Sequence, residues 1–424
     1  MTASLERYAV IVDPYSSGNQ FARAFAPTGV RLIAVLSSDE PPEVYAASYK
    51  PEDFFRVRVA CAAELAPLVD ELREYSPICV LTGCESGVEL AERLAPLLLP
   101  EASNAPGLAL ARRDKGLMAA AVAEAGVPMM KQICTHDFAS VQRWRTDNGL
   151  THRDLVVKPP KSASTDGVCK VGPDESLQRA FTRLLDKPNR LGIINDRVLV
   201  QEYLVGTEYV VDTFSHAGVH TLCSVCKYSK LANAHGMAVY DRMEWVSHDD
   251  PIIDTLAAYA EQVLDALGIA WGNSHIEIMQ TDDGPRLIEL GARPHGGGHP
   301  ALCVIATGDS QVHRAVRYFA QGITPPRRFT LLKHMTVVFF RALAPSIVRN
   351  PEKLHALAGL RSYIDASIQV KEHQAVPATQ DLFATLALGF VVLANDDPQQ
   401  LADDVNAVRQ AEADVFQRAM EGVA

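Results

Sequence analysis

The chain has 424 residues, 48% of them hydrophobic, with 40 Lys plus Arg against 51 Asp plus Glu and a net charge of −11. At roughly 100–200 residues per domain, that is material for two to four cores. The negative balance argues against nucleic acid or an anionic membrane surface as the main partner, since both call for a basic patch, but not against a nucleotide, which needs only a few local cations.

From the N-terminus, MTASLERYAVIVD lacks a signal-peptide pattern and passes straight into a strand-like run. Tyr8–Val12, Leu32–Leu36 and Ile78–Leu81 read as short strands, and 88–99 as a helix. Strands separated by helices predict a parallel sheet. The turn Ser16-Ser17-Gly18 is not a GxGxxG, and no acidic residue closes a dinucleotide fingerprint. After the loop residues 103–107, a helix is predicted over 108–125, stopped by Gly126 and Pro128.

Strands at 155–158 and 198–203 flank a helix near 177–185, and further strands follow at 209–214 and 219–227. Cys223 and Cys226 lie in the last of these, on opposite faces by its period of two, so they read as reduced thiols rather than a zinc or redox pair. With the other six cysteines scattered, no disulfide framework is indicated and a cytoplasmic location is the expectation. A helix over 252–267, strands at 274–281 and 286–290, and a proline-containing linker at 322–328 come next. The remainder holds a strand-like run at 335–340, an apolar run at 385–393 and a closing helix at 398–419. No apolar stretch reaches the ~18 residues of a membrane span.

The segment 275–290 carries the strongest chemical signal. Asp283-Gly284 marks a hairpin turn. If the turn centres on Asp283, Glu277 faces Glu289, with Ile276, Ile278, Ile288 and Leu290 on the opposite face. Like charges directly opposed across a sheet are destabilising, and a divalent cation between them reverses the sign. Oxygen ligands beside a nucleotide point to Mg²⁺. The Gly-rich turn that follows, Gly291 to His299, exposes N–H groups to an anion, and Arg293 adds a rigid fork of donors. Together these describe a phosphoryl-transfer centre. His295 and His299 as a metal pair is disfavoured by the three glycines between them.

Two weaker segments accompany it. In VVKPPKSASTDGV a strand ends on Lys158, and a loop of small and hydroxyl residues follows that can fold over phosphates, although it is not a Walker loop. In QEYLVGTEYVVD a short linker between two strands can pair with an adenine edge, and Glu208 can accept ribose hydroxyls.

In order and spacing, Lys115 in a helix, VVKPPKSASTDGV, QEYLVGTEYVVD, HIEIM and LIELGARPHGG resemble the ATP-grasp superfamily over about residues 105–300. EL-GARP-GG and TGCESGVELAERLA are most similar to its L-amino-acid ligases, which join two amino acids. The resemblance implies an α/β protein in three parts. Residues 1–107 form a Rossmann-like domain, 108–330 an α+β ATP-grasp domain with a mobile lid at about 129–204, and 331–424 a C-terminal α+β domain completing the fold. It implies an ADP-forming carboxylate–amine ligase that uses ATP and Mg²⁺ and acts on small amino acids, with a homodimer among the assembly states it leaves open.

By the same resemblance, Lys115 and Lys158 contact ATP phosphates, and Ser162, Ser164, Thr165, Gly167 and Val168 belong to the mobile phosphate loop. Glu202, Tyr203 and Leu204 meet the adenine, Glu208 the ribose, and Glu277 and Glu289 bind Mg²⁺. Arg293, with Gly297 and Gly298, steadies the acyl phosphate. Glu85 and Ser86 border the amino-acid pocket: Glu85 meets an α-ammonium, while Ser86 either lines the pocket or caps the helix behind it. His295 meets a substrate side chain or the attacking amine, and His275 is a supporting or core residue. There are two departures. Gly291 stands where many relatives have Asn, and Ser164-Thr165 where Gly-Ser is usual. The alternatives are a carboxylase-like enzyme using bicarbonate and a non-catalytic ATP-binding protein of the synapsin kind; the intact Glu277, Glu289 and Arg293 favour catalysis.

Overall fold

The computed structural model describes residues 6–61, 63–162, 166–232, 238–380 and 382–418. Near the N-terminus, strands Arg7–Val12, Val30–Leu36, Arg56–Val59 and Val80–Thr82 form a sheet whose pairings are all parallel. Its central strands are nearly continuous apolar runs because both faces are covered. Ala9 and Ile11 pack with Phe21 and Phe25 on one side, while Val10, Val12, Ile33 and Val35 pack with Leu68, Leu72, Leu90 and Leu94 on the other. The edge strand Arg56–Val59 was not foreseen. Its arginines alternate with valines and it packs on one neighbour only, so it shows no apolar run.

A second, antiparallel sheet joins Gln132–Thr135, Val198–Glu202, Leu155–Lys158 and Cys169–Val171. With helices Phe138–Asp147 and Leu177–Leu184 it has its own core of Val141, Leu155, Val157, Phe181, Val198 and Val200. Its elements fall between Gln132 and Glu202, within the segment over which a lid is expected.

The largest sheet has eight antiparallel strands, in spatial order Gly284–Gly291, Gly272–Thr281, Thr207–His216, Val219–Ala232, Ala238–Trp245, His334–Phe339, Gly389–Asn395 and Tyr363–Ile368. It runs through residue 330 without a break, since Arg242 to Glu244 pair with Thr336 to Val338. Helix Ile252–Ala266 covers one face through Leu256, Ala260 and Val263 against Val211, Ile276 and Leu287. On the other face Phe214 and Cys223 share a core with Ile11 and Phe21, joining this sheet to the N-terminal one. Cys223 and Cys226 do not lie on opposite faces as expected: a bulge leaves Cys223 unpaired between Leu222 and Ser224, so it shares the face of Phe214, Asp212 and Val210 with Cys226, in an adjoining core. A small sheet of Ala375–Val376, Ser346–Val348 and Phe416–Arg418 closes the C-terminal part.

Among the element boundaries that differ from expectation, three show their cause locally. The helix predicted from Leu108 begins at Lys115, because Asp114 accepts the N–H groups of Gly116 and Leu117 and sets the N-cap there. The apolar run 385–393 splits into helix Leu382–Leu388 and strand Gly389–Asn395, with Gly389 at φ 118° making the change of direction. The last helix ends at Val415, and the chain then pairs as a strand. Among the described residues no helix is long and apolar enough to cross a membrane.

Candidate active site

The hairpin carrying the two glutamates turns at Asp282-Asp283, with Thr281 paired to Gly284. That turn alone would slip the register by one residue. A bulge between Glu277 and Ile278 absorbs the difference, so Glu277 is opposite Glu289, as expected. Ile288 is the extra residue. It leaves the core face, and Leu287 takes its place beside Ile276, Ile278 and Leu290. The Ile288 carbonyl instead accepts from Lys158 Nζ at 3.4 Å, so the bulge ties the four-stranded antiparallel sheet to the hairpin of the two glutamates.

Cations surround the pair. Lys115 Nζ lies 3.3 Å from Glu289 Oε2 and donates to the Ser162 carbonyl at 2.9 Å. Lys158 is buried, and burial pulls its ammonium down to about 8 although Glu289 opposes the shift. Glu208 takes Lys230 Nζ on both oxygens at 2.7 Å, while burial raises its carboxyl above the usual range. Glu202 accepts the Lys131 N–H at 2.8 Å, Lys170 Nζ sits 4.3 Å over the Tyr203 ring, and Leu204 is half-buried. In the phosphate loop Ser162 is buried, Gly167 turns in the left-handed region and Val168 is half-buried. Ser164 and Thr165 lie outside the described residues.

After Gly291 the chain places Arg293 against Glu85. Arg293 Nε donates to Glu85 Oε2 at 3.0 Å and Nη1 to the Pro294 carbonyl at 3.1 Å. Gly291 itself explains the departure from Asn. A Cβ there would lie 3.0 Å from Arg293 Cζ and 3.1 Å from Glu85 Oε2, so the arginine–glutamate pair fills the space of a side chain. Glu85 thus holds Arg293 directly. Burial raises its carboxyl, but Arg113, then Arg293, outweigh burial and hold it below the usual range. Ser86 does not cap its helix; its hydroxyl donates to Asp13 Oδ2 at 2.5 Å. Gly297 and Gly298 have φ of 63° and 77°. The nest expected of them is partly spent within the protein, since Gly298 N–H donates to Ser17 Oγ at 3.0 Å. Both glycines border a cleft with Ser16, Gln20, Val44 and Tyr45.

Beneath Glu277 lies a buried cluster whose centre, Asp212, sequence reasoning missed, although it named His275, His295, His299 and Cys226 separately. Asp212 Oδ1 meets His275 Nδ1 at 3.1 Å, and Oδ2 meets His295 Nδ1 at 3.0 Å and His299 Nδ1 at 3.4 Å. Each ring has a second partner: Glu277 for His275, Tyr228 for His295 and Cys226 for His299. Ligand atoms of Asp212, His275 and His295 lie within 4.8 Å of one another, but with every ring spanning two protein partners the group reads as a hydrogen-bond network. Burial lowers His295 to about 4 and keeps His299 well below its ordinary value, whereas the bonds to Asp212 and Glu277 overcome burial and raise His275 to about 9. The charged form of His275 is thereby favoured, with one ring N–H directed at Asp212 and the other at Glu277. His295 supports the site from within the protein; with Asp212 and Tyr228 on its nitrogens it is 7% exposed. Arg113, Lys230 and Asp13 were also missed. Only Arg113 left a signal, as the doublet Arg112-Arg113 ahead of the Asp114 cap.

A family model described as the ATP-grasp domain matches residues 151–300. Dapdiamide A synthase of Enterobacter agglomerans is 30% identical over 421 residues, covering 96% of each chain. Among solved structures, L-amino acid ligase from Bacillus licheniformis superposes with a TM-score of 0.69 at 14% identity, covering 98% of this chain and 100% of that one. N5-Carboxyaminoimidazole synthetase from Staphylococcus aureus, complexed with ADP, gives 0.66 at 12% identity, covering 96% and 98%. The two structural likenesses show a shared fold.

Proposed function

This chain belongs to the ATP-grasp family of carboxylate–amine ligases, and from that premise we propose that it activates an amino-acid carboxylate as an acyl phosphate and couples it to the amine of a second amino acid. The products are a dipeptide, ADP and phosphate. The observation that carries this reading is the opposed pair Glu277 and Glu289, flanked by Lys115 and Lys158, with Arg293 on the next turn. Two carboxylates held face to face fit a hard cation, and Glu277 and Glu289 would hold Mg²⁺. When bound, it would neutralise phosphate charge.

Lys115 and Lys158 set positive charge against the phosphates in a water-poor site, where it counts most. Glu208 and the segment Glu202 to Leu204 hold the nucleoside. The substrate carboxylate attacks the γ-phosphoryl group and ADP leaves; the amine then attacks the acyl carbon and phosphate leaves. Arg293 meets the oxyanion of that second step, its guanidinium aimed by Glu85. Ser86, Glu85 and Tyr45 lie beyond the carboxyl ends of the N-terminal strands, where open α/β sheets gather ligands. The test is ADP release and product mass over the twenty amino acids, singly and in pairs. ADP with a dipeptide is expected. AMP with pyrophosphate, or ADP formation that needs bicarbonate and no amino acid, overturns the reading.

A further inference from the structure

Two adjacent arginines are buried and are used in opposite ways. Arg112, 0% exposed, donates from Nη1 to the Leu267 carbonyl at 2.8 Å and from Nη2 to the Ala105 carbonyl at 3.0 Å, and it pairs with Glu92. It ties the loop before the ATP-grasp helix to helix Ile252–Ala266 and is spent on the fold. Arg113, 4% exposed, has Glu85 Oε1 3.2 Å from Nη1, at ion-pair distance but not aligned as a hydrogen bond. Neither Nη1 nor Nη2 of Arg113 has a hydrogen-bond acceptor among the described residues. Buried donors are rarely left so, and a guanidinium fork has the shape of a carboxylate.

The surroundings say which anion. Glu85 is shared: Arg113 lies at one oxygen and Arg293 Nε at the other, at 3.0 Å. One negative charge therefore serves two guanidinium groups, with Lys115 adding to the field, and the group carries excess positive charge. Lys115 and Lys158 stand on the Glu289 side, with the phosphates of the proposed reaction. Tyr45 lies in the field of Arg293, Glu85 and Arg113 and also lines the cleft with Ser16, Gln20 and Val44, which gives a neighbouring side chain room. In the proposed reaction one carboxylate is consumed as acyl phosphate. The other, on the amino acid that supplies the amine, stays charged throughout and needs a lasting counter-charge.

We propose that Arg113, held by Glu85 beside the Arg293 that meets the oxyanion, clamps the free α-carboxylate of the amine-supplying amino acid. This inference rests on the reading of the chain as a ligase of two amino acids. It restricts the substrate class: amines without that carboxylate, such as amino-acid amides, are poor acceptors.

The experiment compares one amino acid with its own carboxamide as amine donor, at saturating ATP and acyl donor, in the wild type, Arg113→Ala and Arg113→Lys. The wild type should favour the acid. Arg113→Ala should raise KM for the acid roughly 10–100-fold, as expected from losing charge-assisted hydrogen bonds, and erase the preference for acid over amide. KM for ATP should stay unchanged, and Arg113→Lys, which keeps the charge without the fork, should recover only part of the preference. Melting temperatures establish that the variants fold. A wild type that uses acid and amide equally overturns the clamp without recourse to any variant. So does an Arg113→Ala enzyme that keeps the preference or loses both donors equally. A wild type that makes no dipeptide from any pair overturns the ligase reading and the clamp with it.

Discussion

The nucleotide end and the amino-acid end of this site are built by different rules. At the nucleotide end, Glu277 and Glu289 come from one hairpin, and Lys158 and Glu208 end or begin strands that local patterning announces. At the amino-acid end, Asp13, Tyr45, Glu85, Arg113 and Arg293 come from five separate segments, and the central contact, Arg293 to Glu85, spans 208 residues of chain. The opposed carboxylates of the proposed phosphate end are thus set by short-range geometry, although the Lys158 beside them bonds across 130 residues of chain, whereas the proposed substrate end depends throughout on how the N-terminal sheet docks on the central one.

If the two ends are distinct, damage should separate. The largest effect is expected at Lys158. Lys158→Ala should cut turnover on the order of 10²-fold or more and weaken ATP, as for loss of an electrostatic stabiliser, while KM for the amino acids holds. Calorimetry with unchanged nucleotide affinity alongside unchanged turnover contradicts it. Glu277→Gln and Glu289→Gln should each raise the Mg²⁺ needed for half-maximal rate by about 10-fold, since each removes an anionic ligand. Both should lower the melting temperature, since the gain from relieving a like-charge pair is offset where Glu277 loses its bond from His275 and Glu289 its ion pair with Lys115. Full activity of both at limiting Mg²⁺ would show that this hairpin face is not the metal site.

The opposite end sharpens the contrast through Gly291. Gly291→Ala sets a methyl against Arg293 and Glu85, so KM for an amino acid should rise roughly 5- to 100-fold, in line with the ~1–3 kcal/mol that overpacking costs, with ATP affinity unchanged. A Gly291→Ala enzyme whose ATP affinity falls in step with its amino-acid affinity would mean the two ends act as one.

The smallest effect is a pH dependence. Burial holds Lys158 near 8, below its ordinary value of 10.5, and phosphates favour its charged form. ATP binding above pH 8 should therefore take up a proton, and affinity should fall as the pH rises from there, with no contribution from this group below it. In the free protein the sign is reversed. Between about 8 and 10.5 the unfolded chain binds more protons, so this residue's cost to stability is relieved as the pH rises. Calorimetry at pH 9 in buffers of different ionisation enthalpy measures the uptake directly; zero uptake refutes it.

What the sequence disclosed follows the same division. The opposed glutamates were legible because a period of two fixes which residues share a face. Even so, the pairing is reached by a bulge at Ile288 compensating a turn one position away from the one expected. The parallel strands were legible because burial on both faces makes them continuously apolar. The network around Asp212 was not, because its members sit on two strands and on the loop and helix that follow. Nor was the role of Glu85 or Arg113 legible, since a charged side chain shows its partner only once distant segments meet.

The claim that one site runs from phosphate to peptide bond through an acyl phosphate is tested most directly by isotope transfer. The acyl-donating amino acid is labelled with heavy oxygen in its carboxylate, and the products are weighed after one turnover. The account predicts one labelled oxygen in the released phosphate, unlabelled ADP and a dipeptide retaining the other. Label in AMP, or phosphate without label, contradicts it.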